Sequence, residues 1–380
     1  MDHDDSQAIK LKHNIGPMLR SKRIRILGTT MLVACAIALF FFFRPRPNLN
    51  FQYSHYLWSC NYTSSDDVDW SRFAYTQYVT NTEYLCNSVM MFEALDRLGS
   101  KADRLMMYPN NMHLDPKSRS RESELLLKAQ NEYGVKLMPI EIQHRSGGDS
   151  TWANSYTKLL AFNQTQYARV LSLDSDSTIL QPMDELFLLP STPVAMPRAY
   201  WLDKPYLSSQ LILIQPSAEE FNRVKQAIIG AKKGDFDMEI MNDLYAKDCI
   251  ILPHRRYDLL TGVFRSQELH ISYLGNTYEH WDPERVLEEA KFLHFSDWPM
   301  PKPWLSASEA VTTKTQPKCE ARTDGKDDCR ARDIWLGFYS EFKERRKASR
   351  TSDLQVYITD FTPRTYVGWV SASSIRDQVK

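Results

Sequence analysis

The chain has 380 residues, and its 47 basic and 47 acidic side chains give a formal net charge of zero. This charge balance argues against nucleic acid as the partner, because nucleic-acid-binding proteins usually carry an excess of positive charge. Hydrophobic residues make up 43% of the chain, which predicts a globular protein with a sizeable core, in one large domain or two modest ones.

An uncharged apolar segment covers residues 26–43, and several lysines and arginines precede it. Its length is near the lower limit of about 17–25 residues for a membrane-spanning helix. The positive-inside bias predicts a cytoplasmic tail at 1–25, a signal-anchor at 26–43 and a lumenal remainder. A cleaved signal peptide is the alternative, but the segment ends in FFFFRPRPN, which lacks a small-residue cleavage site. A short span suits a Golgi membrane, so we expect a single-pass type II Golgi protein.

Residues 44–71 are rich in proline, asparagine and serine and are interpreted as a stem. Asn61 and Asn163 each begin an N-x-T pattern, which predicts N-glycosylation in a lumenal protein. Cys319 and Cys329 flank a polar loop that a disulfide could close, but the pairing of the cysteines cannot be derived from sequence.

From 72 to 305, apolar strand patterns alternate with helical periodicity, which predicts an α/β domain with a mostly parallel mixed sheet. Strands are predicted at 73–80, 104–109, 135–142, 168–174, 193–197, 210–215 and 249–253. Helices are predicted at 83–98, 122–133, 154–162, 218–232 and 237–245. The remainder, 306–380, is an extension of unknown role with a helix at 334–350 and short strands at 353–361 and 365–370. The basic end of that helix is interpreted as a solvated face.

The predicted strand at 168–174 lacks apolar–polar alternation, as expected of a strand buried on both faces, and it runs into Asp174 and Asp176. Ligands of open parallel sheets bind at the carboxyl ends of strands, and alternate residues of an extended segment face the same way. Two adjacent carboxylates suit a divalent ion such as Mn²⁺ or Mg²⁺, which commonly also binds phosphate oxygens. A solvated surface turn is the simpler alternative.

The same string also permits a different enzyme class. Asp174-Ser-Asp-Ser-Thr178 fits the D-x-D-x-[TV] pattern of haloacid-dehalogenase-type phosphatases, in which the first aspartate is a nucleophile and the second a general acid or base. That motif normally opens its domain, whereas here a long α/β pattern precedes it.

A distant segment favours the metal-binding interpretation. His294-Phe-Ser-Asp-Trp-Pro-Met-Pro-Lys302-Pro-Trp304 resembles the H-F-x-G-x-x-K-P-W segment that ends the catalytic domain in glycosyltransferase family 8, the glycogenin-like enzymes. Further segments resemble the family in the same order: 76–84, 158–162, 167–180, 181–187, 207–217 and 236–242. The resemblance covers about 73–304, and within the family the chain looks most like the fungal Golgi N-acetylglucosaminyltransferases.

The resemblance implies a GT-A-like, Rossmann-type nucleotide-sugar-binding domain. It implies that His294 is a third metal ligand beside Asp174 and Asp176, and that Lys302 contacts the nucleotide diphosphate. It also implies a donor contact from Lys158, a role for Asp237 near the donor sugar or acceptor, and nucleotide contacts from Thr80, Tyr84 and Ser175. Simpler roles for Lys158 and Asp237 are a solvated helix face and a helix N-cap.

The implied reaction is a retaining transfer of a sugar, GlcNAc being favoured, from a UDP-sugar to a mannose-containing glycan with Mn²⁺ or Mg²⁺ bound. UDP-glucose and UDP-galactose are the alternative donors. The chain departs from the family pattern where Asp297 replaces a glycine and where a longer spacer precedes Lys302. It departs again at Ser208-Ser209-Gln210 and at Met238.

Overall fold

The computed structural model describes residues 68–143, 154–321 and 325–349. The predicted anchor at 26–43, Asn61 and the predicted strands at 353–361 and 365–370 lie outside these residues. Within the described ranges, no helix is both long enough and apolar enough to cross a membrane. The second predicted acceptor, Asn163, is exposed, as glycosylation would require.

The elements follow the predicted alternation through most of the described chain. The strands are β1 (Phe73–Tyr78), β2 (Asp103–Pro109), β3 (Lys136–Ile140), β4 (Arg169–Leu173), β5 (Ser177–Ile179), β6 (Val194–Pro197), β7 (Leu211–Ile214), β8 (Ile250–Leu252), β9 (Leu259–Leu260), β10 (Phe292–His294), β11 (Glu320–Ala321) and β12 (Asp327–Asp328). The α-helices are α1 (Thr82–Arg97), α2 (Arg121–Tyr133), α3 (Ala218–Gly230), α4 (Asp237–Tyr245), α5 (His254–Tyr257), α6 (Gln267–Leu274), α7 (Pro283–Glu289), α8 (Glu309–Thr315) and α9 (Arg330–Ala348). Shorter 3-10 helices cover Trp70–Arg72, Ser155–Asn163, Asp184–Leu188 and Thr261–Arg265.

The main sheet has the strand order β3-β2-β1-β4-β7-β6-β8. β1 pairs in parallel with both β2 and β4, and only β7 runs antiparallel to its two neighbours. Helices cover the sheet, and β4 is buried along almost its whole length, which explains its unbroken apolar pattern. The predicted mostly parallel mixed α/β sheet is confirmed.

Local capping explains where the first helices begin and end. The side chain of Asn81 accepts hydrogen bonds from two backbone amides in the first turn of α1. The side chain of Ser120 accepts from one amide in the first turn of α2, and Gly134 ends that helix with a left-handed φ of 61°. The predicted helix at 154–162 is instead the 3-10 helix Ser155–Asn163, and the preceding Asn154 makes no side-chain capping hydrogen bond.

A second, small sheet joins two distant parts of the chain. β10 lies between β5, to which it is antiparallel, and β9, to which it is parallel. In this register His294 is opposite Ser177, and the amide of Phe295 donates to the carbonyl oxygen of Asp176 over 3.0 Å. Because of this pairing, His294 lies beside the two aspartates that follow β4.

Helix α9, the last helix in the described part of the chain, packs into the core. Trp335, Phe338 and Phe342 of this helix are buried, and each buried phenylalanine contributes about 1.5–3 kcal/mol to folding. Arg345 and Arg346 form ion pairs with glutamates of α1, so the prediction that this basic run is a solvated face is wrong for these two residues. The pattern was misleading because the partners are far away in the sequence.

Cys319 and Cys329 form a disulfide, a pairing that their positions allowed but did not establish. It closes the loop that contains β11 and β12, immediately before α9. The disulfide therefore limits the conformations available to the loop that leads into α9.

Candidate active site

Three predicted metal ligands converge at the carboxyl end of β4. One ligand atom each from Asp174, Asp176 and His294 lies within 4.8 Å of the others. His294 Nε2 is 3.1 Å from Asp176 Oδ1 and 3.9 Å from Asp174 Oδ2. The sequence prediction of a three-residue cluster is therefore matched by its geometry, and the β5–β10 pairing is what closes it.

Lys302 lies on the other side of Asp176. Its Nζ is 2.6 Å from Asp176 Oδ2 and donates over 2.6 Å to the carbonyl oxygen of Phe295. The side chain remains partly exposed, so its ammonium group is accessible to a ligand. This is the position at which a cation would compensate the charge of a diphosphate.

Lys158 is buried and connects the metal cluster to α4. Its Nζ is 2.7 Å from Asp174 Oδ1 and 2.7 Å from Asp237 Oδ2, and it donates to the carbonyl oxygen of Ser209 over 2.9 Å. The alternative of a solvated helix face is therefore wrong for Lys158. Asp237 is the first residue of α4, and its Oδ2 also accepts from Ser209 Oγ over 2.7 Å.

The pKa values of the two aspartates of the D-x-D string are shifted in opposite directions. Burial alone would raise the pKa of Asp176, but His294 and Lys302 lower it well below its usual range. Burial raises the pKa of Asp174, although the charge of Lys158 acts against this. Neighbouring carboxylates disfavour each other's ionisation unless positive charge lies between them. A divalent cation would supply that charge for Asp174.

The Lys158–Asp237 pair is held in its charged form. Burial would raise the pKa of Asp237, but Lys158 and Ser209 lower it overall. For Lys158, burial would lower the pKa, yet Asp174 and Asp237 raise it above its ordinary value. Both groups are therefore ionised at neutral pH within a buried environment.

The predicted nucleotide-contacting residues lie around this cluster. Thr80 is half-buried in the turn between β1 and α1, and Ser175 is buried between the two aspartates. The ring of Tyr84 meets the ring of Trp304 edge-on at 5.4 Å. Burial and the charges of Asp176 and Asp174 raise the pKa of Tyr84 to about 12, so its hydroxyl remains neutral.

Two site residues were not identified from the sequence. The Tyr78 hydroxyl donates to Asp174 Oδ1 over 3.2 Å, and Tyr78 ends β1, whose carboxyl end lies beside that of β4. That position at a strand end was an available signal. Asp258 is fully buried, and burial raises the pKa of its carboxyl well above the usual value. No sequence pattern marks Asp258 as part of the region.

The residues present fit a divalent metal ion. Mn²⁺ readily accepts two carboxylates and one imidazole as ligands, whereas Mg²⁺ would be coordinated chiefly by the carboxylates. When bound, such an ion would neutralise the cluster and act as a Lewis acid toward phosphate oxygens.

Metal binding should be visible as stabilisation. We expect Mn²⁺ at about 100 times its Kd to add about 2.7 kcal/mol to the free energy of unfolding, because the ion binds only the folded cluster. Thermal unfolding with Mn²⁺ and with a chelator would measure this. His294→Gln should remove most of the shift, whereas the exposed His113→Gln should leave it unchanged. Equal shifts in both variants would show that the ion binds elsewhere.

The mostly parallel sheet defines an α/β protein, and its candidate ligand site is the acidic cluster at the carboxyl ends of the strands. No protein-family model matches the chain. A curated relative from Gibberella zeae, named Glucose N-acetyltransferase 1, is 58% identical over 288 residues. The match covers 74% of this chain and 63% of that relative, so the chain spans less than two thirds of the Gibberella protein.

A relative from Aspergillus fumigatus with the same name is 43% identical over 347 residues, which are 87% of this chain and 88% of that protein. The chain therefore belongs to the glucose N-acetyltransferase 1 family of enzymes. This confirms the resemblance to the fungal enzymes that the sequence motifs indicated.

Solved glycosyltransferase structures were also found among the structural likenesses. The bifunctional glycosyltransferase WbbM aligns with a TM-score of 0.46 and 16% identity, covering 74% of this chain and 50% of that one. The galactosyltransferase LgtC, solved with donor and acceptor sugar analogs, aligns with a TM-score of 0.40 and 12% identity, covering 61% of this chain and 89% of that one.

Proposed function

We propose that this protein is a retaining glycosyltransferase that transfers GlcNAc from UDP-GlcNAc to a mannose-containing glycan. The convergence of Asp174, Asp176, His294 and Lys302 at one strand end is the observation that carries the proposal. Three oxygen and nitrogen ligands for a divalent ion lie beside a lysine, an arrangement suited to binding a nucleoside diphosphate. The family relationship and the resemblance to N-acetylglucosaminyltransferases favour GlcNAc as the sugar.

The chain's own residues would divide the work between leaving group and sugar. Asp174, Asp176 and His294 would hold the metal ion, which supports the negative charge on the diphosphate. Lys302 would stabilise the same charge as UDP departs, which is usually the main catalytic contribution in such a step. No group in the cluster is assigned as a nucleophile, and a same-face attack by the acceptor hydroxyl agrees with retention.

Asp237 and Lys158 would act on the sugar side. Lys158 and Ser209 fix the orientation of the Asp237 carboxylate at the start of α4, and the ion pair keeps it charged. A fixed carboxylate can orient a hydroxyl of the donor sugar or of the acceptor by hydrogen bonding. Thr80, Tyr84 and Ser175 would contact the nucleotide from the β1–α1 turn and the D-x-D string.

The proposed setting is the Golgi lumen, with an N-terminal anchor at 26–43 in the membrane. The anchor, its basic flank and the N-x-T patterns support this setting. The exposure of Asn163 agrees with it.

A donor screen tests the proposed function. The detergent-solubilised full chain would be incubated with UDP-GlcNAc, UDP-glucose and UDP-galactose, Mn²⁺ and a mannose-containing glycan, and UDP release would be measured. We expect release from UDP-GlcNAc to exceed that from the other two donors. Faster release from another UDP-sugar would identify that sugar as the donor. If UDP is released from none of the three donors, the proposed transferase activity is refuted. Hydrolysis of p-nitrophenyl phosphate with Mg²⁺ would instead favour the phosphatase.

A further inference from the structure

Asp297 replaces the glycine that the glycosyltransferase pattern has three residues after His294, and its side chain is completely buried. Its Oδ2 accepts hydrogen bonds from Trp335 Nε1 over 3.1 Å and from the Tyr339 hydroxyl over 2.9 Å. Its Oδ1 accepts from Arg265 Nη1 over 3.2 Å. A buried carboxylate is tolerated only with such partners, so this position is built to hold the chain in place.

Helix α9, which supplies Trp335 and Tyr339, also packs on both ends of residues 294–304, here called the 294–304 loop. Near its start, the ring of Phe295 lies 5.3 Å from that of Tyr339 and 5.1 Å from that of Phe342. At its end, the ring of Trp304 lies 6.1 Å from that of Phe342. The last described helix therefore supports the loop that carries His294 and Lys302 at three points, Phe295, Asp297 and Trp304.

The C-terminal end of α9 is fixed to α1 by two arginines, Arg345 and Arg346. Arg345 Nη2 is 2.8 Å from Glu93 Oε2 and donates to the carbonyl oxygen of Met90 over 2.8 Å. Arg346 forms an ion pair with Glu83 and donates to Asn87. Since α1 follows the turn at the end of β1, α9 links two segments that border the metal cluster.

The 261–265 helix supports the loop from another side. The Ser296 amide donates to Thr261 Oγ1 over 3.0 Å, and a Cβ added at Gly262 would lie 2.7 Å from the Ser296 carbonyl oxygen. Only glycine permits this approach without movement of the backbone. The loop is thus held between α9 and the 261–265 helix.

We propose that Asp297 is a positioning residue for nucleotide binding, and that α9 acts through it to set the place of Lys302 relative to Asp176. This inference rests on the proposed function, because it takes UDP as the ligand that Lys302 meets. It assigns a role to the C-terminal extension, whose sequence gave no functional indication. Small displacements of a charged group that faces a diphosphate are costly, because the interaction depends on geometry.

Tyr339→Phe is the most discriminating variant. It removes one hydrogen bond to Asp297 and keeps the ring that packs on Phe295. Tyr273→Phe is the matched control, because Tyr273 is fully buried in the same core cluster and its hydroxyl donates to the carbonyl oxygen of Arg255 over 2.8 Å. Both variants lose one buried tyrosine hydrogen bond, but only one of them touches the 294–304 loop.

The experiment measures UDP affinity at fixed Mn²⁺ by calorimetry, thermal unfolding, and amide hydrogen exchange of the full chain. We expect Tyr339→Phe to weaken UDP binding several-fold and Asp297→Ala by about tenfold, the low end of the effect of outer supports on a metal site. Exchange of loop amides should be faster in both variants. Tyr273→Phe should lower the unfolding temperature comparably and leave UDP affinity and loop exchange unchanged.

The two proposals fail in different ways. If the wild-type protein binds UDP and Tyr339→Phe binds it equally tightly, the positioning role of Asp297 is overturned while the proposed function stands. If the wild-type protein does not bind UDP with Mn²⁺, the proposed donor is wrong. Amide exchange then tests only whether Asp297 and α9 hold the 294–304 loop in place. If amide exchange of the 294–304 loop is unchanged in Tyr339→Phe, the positioning role of Asp297 is overturned, whether or not the wild-type protein binds UDP. This test also holds if Asp297→Ala does not fold.

Discussion

Asp176→Asn should reduce UDP release from the nucleotide sugar by about 100-fold or more, a loss typical of removing one charge-stabilising group from an active site. The carboxylate touches both His294 and Lys302, so loss of its charge weakens a metal ligand and removes one of the two contacts that hold the lysine. Asparagine keeps the shape and removes the charge. Initial rates at saturating Mn²⁺, with KM and kcat determined separately, would measure the effect.

Asp103→Asn is the control for this variant. Asp103 begins β2 and pairs with Lys136, so it lies at the amino end of the parallel strands, away from the cluster. We expect less than a twofold change in rate from it. Retention of full activity by Asp176→Asn would contradict the assignment of the D-x-D string as a metal site.

Lys158→Met should produce the largest loss of stability, about 3–5 kcal/mol in the free energy of unfolding, as expected when one partner of a buried ion pair is removed. Methionine keeps much of the volume but leaves Asp174 and Asp237 buried without their shared cation. Denaturant unfolding would measure the difference. Lys136→Met is the control, because Lys136 is exposed and its pair with Asp103 lies at the surface, where such a pair should contribute less than about 1 kcal/mol.

The same variant should also change how stability depends on pH. In the wild-type protein the pKa of Asp237 is lowered, so its contribution to stability is present above the unfolded value of about 3.9 and is lost as the pH falls toward the folded pKa. Without Lys158, burial would raise the pKa of both aspartates above the unfolded value. Their ionisation would then destabilise the fold as the pH rises.

The stability difference between wild type and Lys158→Met should therefore grow from about pH 4 to pH 8. Denaturant unfolding at a series of pH values would follow it. Adding Asp237→Asn to Lys158→Met should reduce the growth, because one of the two buried acids is then absent. A difference that stays constant with pH would show that lost packing, and not charge, explains the variant.

Strands and helices with strong local patterns were predictable. The apolar run before Asp174 correctly predicted a buried strand, and α4 begins and ends where the periodicity indicated. The 155–163 segment was mistaken for an α-helix, because its apolar spacing does not separate α from 3-10 geometry. β5, β9 and β10 are too short to leave a pattern of their own, so the second sheet was not predicted.

The sequence by itself determined the family resemblance and the chemistry of the site, because D-x-D, His294 and Lys302 carry distinctive side chains in a recognisable order. Only the tertiary structure decided how these groups are held. Lys158 meets Asp237, and Asp297 meets Trp335 and Tyr339, through contacts between residues far apart in the chain. Such contacts depend on sheet order and helix packing and leave no periodic trace in the sequence. For the same reason, an arginine-rich helix end that looked solvated proved to be anchored on α1.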